Sequence, residues 1–266
     1  MTAKYHFIPS VRQGIAGEIG KTDTLGAGVE GAAQTSVYVR VNDREDAKKV
    51  KVRVHGPGDV TGINRLTIIR TDPAPWSRDF EPNYFPIVDL DDSNFPWRFM
   101  PAQADAQGRL RTWLCLVVVR KQEGVSLSYP AGPRLPVLAI KAPAKPSVEL
   151  PDLAESWAWA HAQVTGNDQQ TVANLLANKP AQNLSRLICP RKLEPQQDYL
   201  AALVPAFDAG RKTGLGFSLQ AADEIELKPA WLSGAAAPAE IDLPVYYHWE
   251  FRTADGVDFM SLIRKL

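Results

Sequence analysis

RLRTWLCLVVVRK, residues 109–121, decides the fold. Its second half, Leu114 to Val119, is apolar at every position, and such a run suits a strand buried on both faces. The run predicts a strand over 110–120, central in a sheet. Upstream, SVYVRV (36–41) and VKVRVH (50–55) alternate apolar and polar residues, the pattern of half-buried strands, and the charged NDREDAKK between them suits a hairpin connection. Gly56-Pro57-Gly58 reads as a turn and 66–69 as a third strand. A proline-rich crossing over 72–86 leads to the short apolar Ile87-Val88 and an acidic bend.

Downstream, residues 135–140 read as a strand, and KAPAKPSVELP (141–151) is the candidate internal boundary. Asp152 with Glu155 three residues on resembles a capping box. Leu153, Trp157, Ala160 and Val164 then share a helical face, predicting a helix over 152–165 that stops at Gly166. Residues 170–188 read as further helix, interrupted at Lys179-Pro180. A strand is expected over 199–204 and a short helix from Pro205 to about Thr213. PVYYHWEFRT (244–253) alternates as a late strand, with Tyr247, Trp249 and Phe251 on one face and Tyr246, His248 and Glu250 on the other. The expected fold is α+β, mainly β: a twisted sheet or sandwich core with a few short helices packed on one side. Residues 1–34, with six glycines and almost no apolar periodicity, read as a flexible N-terminal arm, and 35–266 as a single body.

Of the 266 residues, 45% are apolar and 23% charged, enough to bury a sizeable core. Lys plus Arg and Asp plus Glu are balanced at 30 each, so no global field draws nucleic acid or an anionic membrane. No stretch approaches the roughly 18 apolar residues of a membrane span, and the first residues lack the apolar core of a secretory signal. The expectation is a cytoplasmic protein. Its 21 prolines make long helices scarce. Cys115 and Cys189 sit in apolar surroundings, with no CxxC and no nearby His, and read as small buried hydrophobes rather than zinc ligands.

Several motifs carry less than their letters promise. Gly26, Gly28 and Gly31 match GxGxxG, but no strand precedes them and no helix follows, as a dinucleotide site needs. Gly20-Lys21-Thr22 resembles the end of a P-loop, yet the first glycine is out of place. The four histidines show no zincin spacing, and no GxSxG elbow exists. His161 reads as a packed histidine at the core edge, and His248 with Glu250 as the one acid/base pair on offer. No enzyme and no cofactor are expected. Asp89, Asp91 and Asp92 could supply oxygen ligands to a divalent ion, their bland alternative being a solvated loop or pairing with Arg98 and Arg111. Phe95-Pro96-Trp97-Arg98-Phe99 is proline-bounded and non-helical, carrying the residue types that anchor interfaces. Phe95, Trp97, Arg98 and Phe99 are therefore interface candidates, against the alternative that Trp97 covers one end of the core.

The segments 79–102 (DFEPNYFPIVDLDDSNFPWRFMPA), 109–121, 185–216 and 243–266 together resemble a family of bacterial proteins associated with gene clusters for phage-tail-like contractile injection particles. That resemblance implies a structural or assembly component, baseplate- or tail-associated, which contacts other protein subunits of a large assembly, is oligomeric in context and enters a particle released from the cell. It carries no catalytic residues. A metal- or carbohydrate-binding module using the 89–92 loop and Trp97 is the competing expectation.

Overall fold

The structure, a computed structural model, describes residues 4–8, 33–39, 48–102, 104–132, 134–167, 169–219 and 227–256. Its strands are β1 (Lys4–Ile8), β2 (Ala33–Val39), β3 (Lys48–Val54), β4 (Ile68–Asp72), β5 (Ile87–Leu90), β6 (Leu114–Arg120), β7 (Val125–Ser128), β8 (Val137–Ile140), β9 (Ala160–Gly166), β10 (Asn183–Ile188), β11 (Asp198–Pro205), β12 (Ile241–Pro244) and β13 (Tyr247–Arg252). Three helices are short: α1 (Pro146–Glu149), α2 (Val172–Asn178) and α3 (Asp208–Gly214). The fold is mainly β within the α+β class. A five-stranded sheet runs β1-β9-β10-β5-β4, two three-stranded sheets run β13-β11-β6 and β12-β8-β7, and β2-β3 form the expected hairpin. All of these pairings are antiparallel.

The expected core strand β6 is buried at six consecutive positions, Leu114 to Val119. It is not central, however: among the described residues β11 takes the middle of that sheet and β6 pairs only with it. Its second edge is closed by side chains instead of a strand. The Arg120 N–H donates to Glu149 Oε2 at 2.9 Å, and Arg191 Nη1 donates to the Val118 carbonyl at 3.0 Å and to Glu149 Oε2 at 2.5 Å. An apolar run buried on both faces therefore identified a core strand without saying which strand would lie in the middle. A single hydrophobic cluster takes residues from Val60 to Phe251, on both sides of 141–151. Cys115 and Cys189 are buried in it as free thiols; burial raises both, Cys189 to about 11.

Two expected helices are corrected. Asp152 does cap a helical start, accepting the Ala154 N–H at 3.0 Å, but only a 3-10 helix follows over Leu153–Ala158. From Ala160 the chain is β9, with Ala160, Ala162 and Val164 buried in strict alternation. Residues 183–188, expected as helix, are β10. Its buried face is partly polar, with Asn183 and Ser185 beside Leu187, while Leu184 and Ile188 are half-exposed. That inversion hides the period, and backbone carbonyls make it tolerable: Asn183 Nδ2 donates to the Leu175 carbonyl of α2 at 2.8 Å and Ser185 Oγ to the Asp92 carbonyl at 2.6 Å. Of the expected N-terminal arm, residues 4–8 form β1 on the body, and 9–32 lie outside the described residues.

Candidate functional site

The 95–99 segment forms one 3-10 turn, Phe95–Trp97, where no helix was expected; Pro96 fits there because the first helical positions need no N–H partner. Burial corrects the interface candidates. Trp97 is 1% exposed and donates its Nε1–H to the Leu110 carbonyl at 3.2 Å, while the Phe95 carbonyl accepts Trp113 Nε1–H at 2.7 Å. Phe95 and Phe99 pack edge-on against Trp113, with centroids 5.7 and 5.1 Å away. Phe95 and Trp97 are thus buried in the aromatic core of this chain, and Phe99 is only partly open. Arg98 is exposed but is engaged by Asp92 and lies 5.6 Å over the Phe95 ring.

The metal candidates are corrected as well. Asp89, on β5, is 4% exposed and accepts from Arg186 Nε at 2.6 Å and Nη2 at 2.9 Å, with Arg70 Nε at 3.3 Å on its other side. Two guanidiniums already occupy the positions a cation would need. Asp91 is exposed, and Asp92 accepts the Asn94 N–H at 2.8 Å and pairs with Arg98. No group of three or more potential metal-holding side chains exists among the described residues. His248 and Glu250 do not form a pair: the His248 ring meets Tyr129 Oη at 3.0 Å, and Glu250 receives Lys121 Nζ at 2.7 Å. Burial lowers the His248 pKa, with Arg65 acting in the same direction and Glu250 against it. The glycine motifs at 20–22 and 26–31 lie outside the described residues.

What the structure does assemble is a row across the outer face of the five-stranded sheet. Register sets Arg70 opposite Asp89, Asp89 opposite Arg186, and Arg186 opposite His161. Phe7 of β1 completes the row, its ring 5.8 Å from His161. The His161 pKa is lowered, chiefly by burial and then by Arg186, against the pull of Asp89. A lowered pKa and a Gln163 amide at 3.2 Å describe a neutral, structurally held imidazole. The row ends at β1, where Tyr5 and Phe7 are 65% and 62% exposed. On its outer edge β1 meets no strand among the described residues. Alternation in KYHFI is the signal for this strand, five residues long and followed at once by the glycine-rich stretch that hides it.

No helix among the described residues is long and apolar enough to cross a membrane. No family model, curated protein or solved structure matches the chain.

Proposed function

We propose that this protein is a structural or assembly component of a phage-tail-like contractile particle and works through protein–protein contacts rather than catalysis. The observation that carries the contact role is β1: an edge strand with two large exposed aromatics, at the end of a sheet held rigid by the Arg70–Asp89–Arg186 cluster. An open strand edge supplies unpaired N–H and C=O groups, and exposed Tyr and Phe supply area that gains from burial. A strand of a neighbouring subunit is the partner that this chemistry fits. The kind of particle rests on the resemblance of the 79–102, 109–121, 185–216 and 243–266 segments.

The test is affinity purification of the tagged protein from its native host, with mass spectrometry and negative-stain microscopy of the eluate. Sheath, tube or baseplate-like proteins should accompany it, and Tyr5→Ser with Phe7→Ser should strip them away while the variant stays folded. A companion-free monomer would sink the reading.

A further inference from the structure

We propose that the cleft beneath Trp76 binds a saccharide that carries a carboxylate. The cleft, about 440 Å³, opens where the 73–86 crossing passes the ends of β6, β11 and β13. That volume lies within the roughly 300–1,000 Å³ of small-molecule sites. Its wall is Trp76, whose side chain is 74% exposed. The Trp76 backbone has φ of 67°, a left-handed conformation that a bulky residue rarely adopts. Hydrogen bonds hold it there: Trp76 N–H donates to the Glu250 carbonyl at 2.7 Å, and Arg252 N–H donates to the Ser77 carbonyl at 2.8 Å. Both anchors lie on β13, so the backbone that carries the indole is fixed beside the cleft although the ring contributes little to the core. A strained backbone that presents an exposed aromatic plane is what a stacking platform requires.

The opposite side carries two ion pairs, Lys121 Nζ to Glu250 Oε2 and Arg252 Nη1 to Asp198 Oδ2, both at 2.7 Å. Each pair leaves a second carboxylate oxygen and further N–H groups without a partner among the described residues. The cleft therefore offers donors and acceptors side by side, next to a flat apolar surface. A pyranose ring has the matching surface, with C–H groups on one face and, around its rim, hydroxyls that both donate and accept. An apolar ligand would leave the ion pairs unserved, and a phosphate carries nearly two negative charges, more than the one cation in excess among the lining groups balances. Arg78 decides the ligand's charge. It lines the same cleft, is exposed, and pairs with no carboxylate among the described residues. It leaves three cations against two carboxylates, and its planar guanidinium takes a carboxylate in bidentate fashion. The cleft stands apart from β1, so this inference does not rest on the assembly reading.

Isothermal titration with tetragalacturonate, and with cellotetraose as the uncharged probe, tests it. Tetragalacturonate should bind and cellotetraose should bind about tenfold more weakly. Trp76→Ala should abolish binding, Trp76→Phe should retain it, and Arg78→Ala should bring the two probes to equal affinity. Trp76 and Arg78 are exposed, so both alanine variants should unfold at the wild-type temperature, which separates lost binding from lost folding. Absence of binding by either probe, equal wild-type affinity for both, or binding unchanged in Trp76→Ala would each overturn the proposal.

Discussion

Replacing Glu149 with alanine removes the group that closes the second edge of β6. The carboxylate is 2% exposed and accepts from Arg120 N–H at 2.9 Å, Gln122 Nε2 at 2.8 Å and Arg191 Nη1 at 2.5 Å. Without it the Arg191 guanidinium, 16% exposed, stays in the interior with only the carbonyls of Val118 and residue 149 as acceptors and the Tyr199 ring 5.6 Å away. Breaking a buried ion pair from one side costs about 3–5 kcal/mol. Stranding the Arg120 amide adds about 1–3 kcal/mol. The two remaining carbonyl acceptors offset part of this, so the expected loss is about 4 kcal/mol. At roughly 2–4 °C per kcal/mol for a chain of this size, the unfolding midpoint should fall by about 8–16 °C. Urea denaturation followed by far-ultraviolet circular dichroism and by tryptophan fluorescence measures the loss and checks that the two probes coincide. Glu149→Met combined with Arg191→Met should recover most of it, because neither charge then remains buried alone. A loss below about 1 kcal/mol for Glu149→Ala, the range of an exposed pair, would refute the claim that this side chain closes the strand edge.

Trp97→Ala should cost about 3–5 kcal/mol by urea denaturation, since a fully buried indole leaves a cavity, whereas a surface contact residue would cost less than about 0.5 kcal/mol. Asp89→Asn should cost about 2–3 kcal/mol by taking the charge from two arginine contacts, and millimolar calcium or magnesium should leave the wild-type unfolding midpoint unchanged. Both His161 and His248 have pKa values lowered by burial, so as pH falls the unfolded chain takes up their protons first. Stability from these groups is complete above about pH 6.5 and is lost as pH drops through that value toward the folded-state pKa values. His161→Gln with His248→Gln should flatten the acid side of the stability profile, and an unchanged slope would refute the assignment.

How much of this was legible before the fold was known differs from element to element. The six-residue apolar run of β6 is legible because a short unbroken apolar run suits a strand buried on both faces, and the β2–β3 hairpin and β13 because their residues alternate apolar and polar. Asp152 was readable as a helix cap for the same local reason. The stretch 160–166 was not, since Ala160 and Val164 satisfy both a helical face and a strand face, and pairing with β1 and β10 chose between them. In β10 the polar Asn183 and Ser185 turn inward because carbonyls of α2 and of the Asp92 turn accept from them there.

The candidate site was less legible still. Residue types alone put Trp97 and Asp89 on the list, but exposure is a property of what packs around a side chain. The core took in the first, with its indole N–H on the Leu110 carbonyl, and Arg70 and Arg186 neutralised the second. Three of the aromatics that remain open, Tyr5 and Phe7 on β1 and Trp76 over its cleft, lie in segments whose sequences read as an arm and a crossing. By itself the sequence determined the class of fold and the core strand β6, because burial of apolar runs is a local demand. Only the tertiary structure decided which aromatics are left outside, because that depends on which of many apolar side chains the core has room to take.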